Sequence, residues 1–250
     1  MTLVRNAALA AAFAALAAAS APAVLAQGAP TAAAAAALAN PGRSAEDRAA
    51  DARRKAAEIL AFAEVRPGGK VADVYPGGGY FTRVFAAAVG PQGKVYGVFN
   101  SVSDQATALT RDPAFRNIAL VTGPWAEMKP PEPLDLIFVS QFYHDLYNPK
   151  YGGPAGAPGF NKAAFAALKP GGVYLIVDHA APAGTGLRDH ATTHRIDEEA
   201  VKRDIVAAGF VYEGSSPVLR NPDDARTANV FDPSIRGRTD QFVLKFRKPA

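Results

Sequence analysis

Apolar positions along this chain alternate between two spacings. Ala56, Ile59, Leu60 and Ala63 fall at i, i+3, i+4 and i+7, one buried helical stripe. Ser44 is placed as the cap of that helix, with Asp47 at its third position, and Pro67-Gly68-Gly69 stops it. Arg53, Arg54 and Lys55 lie off the stripe and are expected in solvent. Lys70 to Tyr75 is a short apolar strand that runs into Pro76-Gly77-Gly78-Gly79. Phe81, Val84, Phe85 and Ala88 then return to helical spacing, and Lys94 to Phe99 is a second strand. Strand, Gly-rich turn, helix and strand in this order form a βαβ unit and predict a parallel sheet.

The alternation continues to the end. Strands are predicted at 118–122, 134–140, 173–177, 210–213 and 241–246, with helices at 103–111, 160–168 and from the Asp197 cap onward. Tyr151-Gly152-Gly153-Pro154 to Gly159 reads as a flexible connection. Pro217 to Asp240, polar and rich in Pro, Asp and Arg, reads as an ordered insertion over the end of the sheet. Its arginines and aspartates are expected to pair at the surface or rim. Seven strands alternating with helices predict an α/β fold with a doubly wound, seven-stranded, mostly parallel sheet.

The first residues follow another pattern. Arg5 precedes an apolar run from Ala7 to Ala19, and Ser20, Pro22 and Val24-Leu25-Ala26 follow. That is the layout of a cleavable secretory signal, so 1–26 is predicted as a signal peptide, 27–42 as a flexible Ala-rich leader and 43–250 as a single domain. The expected location is periplasmic or secreted, without membrane attachment after cleavage.

Composition narrows the chemistry. The 250 residues include no cysteine, which excludes disulfides, thiolate metal sites and a Cys nucleophile. A net charge of +4, spread along the chain, gives no basic block of the kind that tracks a phosphate backbone, so nucleic acid is not an expected partner. All four histidines fall in the second half. His144-Asp145 follows the fourth strand, Asp178-His179 ends the fifth, and His190 and His194 lie in the loop after it. The ends of parallel strands collect at one rim, so these groups are expected to converge above the glycine turn. Three readings stay open: acid–base chemistry by a histidine with an orienting carboxylate, metal binding by two or three histidines and an Asp, and mutual structural satisfaction. The i, i+4 pair His190 and His194 lacks a helical pattern to aim both rings at one ion, and no metal ligands are assigned.

Asp73-Val74-Tyr75-Pro76-Gly77-Gly78-Gly79, the lead-in Val65 to Val71 and Lys169-Pro170-Gly171-Gly172 before the fifth strand resemble the class I S-adenosylmethionine-dependent methyltransferases. With Tyr143-His144-Asp145 and Ile235 to Asp240, the chain is similar to a group of exported bacterial proteins of that type. The resemblance implies S-adenosylmethionine as cofactor, held by Asp73, Tyr75, Gly77, Gly78, Gly79, Asn100 and Trp125. It also implies methyl transfer to a small molecule, with His144 as base supported by Asp145 or Asp178, and with Tyr143, His179 and His194 toward the substrate. Two positions depart from the family pattern. Tyr75 stands where the first glycine is usual, and Asn100 follows the second strand where an acid is usual. They favour the alternative, a non-catalytic ligand- or metal-binding protein on the same scaffold.

Overall fold

The computed structural model describes residues 31–250, so the expected signal segment lies outside the described residues. In chain order the elements are α1 (Ala32–Leu38), α2 (Ala45–Arg54), α3 (Ala56–Phe62), β1 (Lys70–Val74), α4 (Tyr80–Val89), β2 (Lys94–Phe99), α5 (Asp104–Arg111), β3 (Ile118–Thr122), β4 (Leu134–Ser140), α6 (Pro149–Gly152), α7 (Gly156–Ala167), β5 (Leu168–His179), α8 (Glu198–Ala207), β6 (Val211–Ser216) and β7 (Gln241–Arg247). Short 3₁₀ turns stand at Trp125–Glu127 and Tyr143–Tyr147.

The strands form one sheet in the order β3-β2-β1-β4-β5-β7-β6, with β7 antiparallel to both neighbours and β1 to β5 parallel. Side-chain alternation sends β1 and β4 residues to two cores. Val71, Leu136 and Phe138 pack with α3 and α4, while Ala72, Val74, Ile137 and Val139 pack with α7 and α8. Central strands buried on both faces explain the nearly continuous apolar runs in the sequence. Val74 pairs with Val98 and Val139, and Ser140 with Val177, so the chain leaves β1, β2, β4 and β5 at one common rim.

Three local expectations are corrected. The leader is partly ordered: Thr31 caps α1, accepting from the Ala34 N–H at 3.1 Å, and Ala34 and Ala37 are buried against the domain. Alanine is the best helix former and small enough for close approach, which low complexity alone does not reveal. The single helix expected from Ser44 is two, because Lys55 takes a left-handed conformation (φ +52°) between α2 and α3. The 151–159 connection is largely helical, as α6 and the first turn of α7. The glycines there accommodate contacts: a Cβ on Gly152 would lie 1.9 Å from the Leu146 carbonyl oxygen.

Candidate functional site

A cleft of about 570 Å³ opens at the rim, above the end of β1. It is lined by Asp73, the turn Tyr75-Pro76-Gly77-Gly78, the α2 residues Asp47, Arg53 and Arg54, and Ser140 and Gln141 at the end of β4. The Ser44 side chain caps α2, accepting from Asp47 N–H at 3.0 Å. Arg83 grips Asp47 with two bonds of 2.6 and 2.8 Å, and the Tyr80 hydroxyl donates to Asp51 at 2.7 Å. Arg54, expected in solvent, is half-buried with its guanidinium 4.7 Å from the Tyr80 ring centre. The break at Lys55 thus accompanies the docking of α2 onto α4, and a short acidic helix becomes a wall of the cleft.

Asp73 is buried and accepts a 2.7 Å bond from the Thr82 hydroxyl. Burial pushes its carboxyl up to about 7, against the opposing pull of Thr82 and of Arg54. Gly77 and Gly78 face open space, leaving room for a ligand to approach the backbone. Gly79 has a different role. It has φ +79°, and a Cβ there would lie 2.0 Å from Leu109 Cδ2, so its bareness lets α5 pack on the start of α4. Gly79→Ala is expected to lower stability by about 1–3 kcal/mol, from overpacking and a left-handed backbone, as read from a lower Tm.

Tyr75 has φ +50°, the conformation for which glycine is the ordinary choice. Its ring stacks on Phe142 with centres 4.4 Å apart, meets Trp125 edge-on and remains 44% exposed at the cleft. Trp125 itself is buried, donates its indole N–H to the Tyr151 carbonyl at 2.6 Å and packs against Phe142 and Phe160. It is a core residue that supports Tyr75 and has no free face for an adenine. Tyr143 is likewise core: fully buried, its hydroxyl accepts from the Asn161 amide at 2.8 Å, so it does not reach a substrate. Asn100 is exposed beyond β2 and does not line the cleft.

The rim does bring the histidines together. His144 is buried on the 3₁₀ turn after β4 and its Nδ1 bonds Asp178 at 2.8 Å. Asp178 also accepts the backbone N–H groups of His144 and His179 at 2.8 and 2.7 Å. Burial pushes Asp178 up, yet the His144 charge and these bonds leave it below the ordinary carboxylate range. Burial pushes His144 down, and Asp178 and Asp145 outweigh it, so its pKa is raised. His194 lies 3.2 Å from His144 Nε2, and Asp145 adjoins both. His179 sits apart, Nδ1 on the Thr239 hydroxyl at 2.7 Å, and burial pushes it down to about 4, so it is neutral at pH 7. None of the four histidines lines the 570 Å³ cleft. His144 presents Nε2 to His194 and Asp145 instead.

Sequence reasoning missed two features. One is the α2 wall, signalled only by the capping Ser44 and its acids. The other is Arg195, fully buried, which bonds Asp224 through two nitrogens and the carbonyls of Ala180 and Ala228. It ties the 217–240 insertion to the end of β5. Asp240 completes the anchor by pairing with Arg220 and Arg226, but it is itself buried, as is Asp224, where surface or rim pairs were expected of that segment.

A parallel sheet with an antiparallel β7 between β5 and β6, and a cleft over a glycine turn after β1, defines the class I S-adenosylmethionine-dependent methyltransferases. Comparison with known proteins agrees. The chain resembles an S-adenosylmethionine-dependent methyltransferase of Aquifex aeolicus (18% identity, 78% of this chain and 89% of that one, TM-score 0.53). It also resembles the glycopeptide N-methyltransferase MtfA complexed with sinefungin (16%, 80% and 87%, 0.56) and an arsenic(III) S-adenosylmethionine methyltransferase of Chlamydomonas reinhardtii (17%, 89% and 75%, 0.54). No curated protein matches the sequence. Residues 40–178 match the model of the protein-L-isoaspartate(D-aspartate) O-methyltransferase family, and the chain belongs to that family.

Proposed function

We propose that this protein is an exported enzyme that transfers a methyl group from S-adenosylmethionine to a small-molecule acceptor. The observation that carries the reading is the cleft above Asp73 and the Gly77-Gly78 turn, at the strand ends where open α/β sheets bind ligands. Gly77 and Gly78 admit close backbone approach, Asp73 supplies a carboxyl to a cationic cofactor, and Tyr75 bounds the cleft beside Phe142. The volume, about 570 Å³, suits a nucleoside-sized cofactor with a compact acceptor. The acceptor is placed toward Gln141, the chain position that leads from the cleft to His144 and Asp145. Export rests on Arg5, the apolar run after it and Val24-Leu25-Ala26.

Calorimetric titration of the purified protein with S-adenosylmethionine and S-adenosylhomocysteine tests the cofactor. Micromolar binding is expected, and no heat at millimolar ligand would sink the reading. An L-isoaspartyl peptide, the acceptor in the family's name, is the comparator in a product assay. Greater turnover on that peptide than on small carboxylic acids, phenols and thiols would exclude the small-molecule acceptor. Tyr75→Gly is expected to tighten cofactor binding by roughly tenfold by removing bulk from the cleft, while relief of its left-handed backbone acts on the free and bound protein alike. Weaker binding would mean that the Tyr75 ring is itself a contact.

A further inference from the structure

His144 Nε2 lies 3.2 Å from His194 Nδ1, and Asp145 Oδ1 lies 3.6 Å from each of those nitrogens. Donor atoms about 2.0–2.1 Å from a tetrahedral ion stand about 3.3 Å apart, so the triangle has the size of one face of such a site. Hydrogen bonding accounts for only one of its edges. At 3.6 Å the Asp145 oxygen is beyond hydrogen-bonding range of both rings, and it is buried without a hydrogen-bond partner. A buried carboxylate oxygen that makes no hydrogen bond is costly, and with two imidazoles in their neutral form as its neighbours it lacks a cation. Four buried side-chain polar atoms lack a hydrogen-bond partner among the described residues, and a second of them, His190 Nδ1, belongs to the same loop as His194.

The support behind the triangle has the same character. Asp178 takes the His144 Nδ1–H at 2.8 Å and is fixed in turn by two backbone N–H groups. With the proton on Nδ1, the Nε2 lone pair faces His194 and Asp145. A carboxylate behind an imidazole is the usual outer-shell partner of a metal-bound histidine. His194 is held in place by the pairing of its loop with β5, where Ile196 N–H donates to the His179 carbonyl at 3.0 Å, and by the Phe231 ring of the insertion.

We propose that His144 Nε2, Asp145 Oδ1 and His194 Nδ1 form a binding site for a divalent first-row transition ion of the zinc type, with Asp178 as the positioning residue behind His144. Two imidazoles and one carboxylate suit such an ion and disfavour magnesium or calcium, which take all-oxygen shells. Three protein ligands leave a fourth position for water or for an acceptor's oxygen or sulfur. The ion site stands independently of methyl transfer, since its ligands lie beside the cofactor cleft and outside its lining.

Untagged protein, stripped with a chelator, is titrated with Zn(II) by calorimetry and with Co(II) in the visible. One equivalent of each is expected to bind, with the d–d bands of tetrahedral nitrogen and oxygen ligation for cobalt and a higher Tm with zinc. His144 is buried and its replacement endangers the fold, so the informative variant is His194→Ala, whose side chain is partly exposed. It should keep the metal-free Tm and lose both the cobalt bands and the zinc-dependent gain. Asp178→Asn should weaken zinc about 10–100-fold while retaining the bands at saturation. The proposal is overturned if the wild type binds neither ion at millimolar concentration, or if His194→Ala binds them as tightly as the wild type. Either result leaves the S-adenosylmethionine titration untouched.

Discussion

Binding of S-adenosylmethionine is expected to tighten by roughly 50-fold between pH 5 and pH 7, and to level off above. Burial holds the Asp73 carboxyl up to about 7 in the free protein. The cofactor carries a positive sulfonium and ammonium, which favour the carboxylate. Below pH 7, binding must therefore expel the proton, and affinity falls nearly tenfold for each unit of acidification. Arg54 is the charged group that faces Asp73, and it too favours the ionised form. Calorimetry in two buffers of different ionisation enthalpy should report about one proton released at pH 6. In Asp73→Asn the affinity should be lower and flat across that range. Proton uptake, or a flat wild-type profile, would refute the linkage.

In the free protein the same group acts on stability with the opposite sense. The unfolded chain releases the Asp73 proton near its ordinary value of 3.8, whereas the folded chain keeps it to about 7. The contribution of this residue to stability therefore falls as pH rises from about 4 to 7, and is constant above. Asn keeps an oxygen for the Thr82 hydroxyl without the ionisation, so Asp73→Asn is expected to be the more stable protein at pH 8 and to lose that slope.

The second large effect is structural. Arg195→Met is expected to cost about 3–5 kcal/mol, because it leaves Asp224 buried without its partner and removes the donors that hold the Ala180 and Ala228 carbonyls. Denaturant unfolding measures the loss. Adding Asp224→Leu should recover a substantial part, since a buried ion pair is often replaceable by packed apolar groups. No recovery would show that the carbonyl bonds, and not the ion pair, carry the anchor.

Most strands were legible because central parallel strands are apolar on both faces. The segments 94–99, 118–122 and 134–140 coincide with β2, β3 and β4. Strand ends were less legible. The fifth strand begins at Leu168, ahead of the glycines, because its register with β4 shifts between Leu134 and Leu136 and absorbs the turn-like Lys169 to Gly172. The glycine turn and Asp73 were visible as a motif, and the rim placement of His144, Asp145 and Asp178 followed from topology. Trp125 and Tyr143 were misjudged because an aromatic residue after a strand reads alike whether it faces a ligand or fills a core. The histidine pairing was hidden for another reason. Spacing drew attention to His190 and His194, whereas the partner of His194 is His144, 50 positions away and brought near only by the β4–β5 neighbourhood.

The position of β7 has a consequence for the order of folding. This strand lies between β5 and β6, yet it is the last to be synthesised. Until Gln241 to Arg247 emerges, the outer edge of β5 has no partner, and the Thr239 hydroxyl that holds His179 is missing as well. The strand that ends in His179 is thus left half-paired until the 180–240 stretch and β7 have followed it. The part of the sheet that carries Asp73 and the glycine turn, β1 to β4, precedes β7 in the chain and is free to form first.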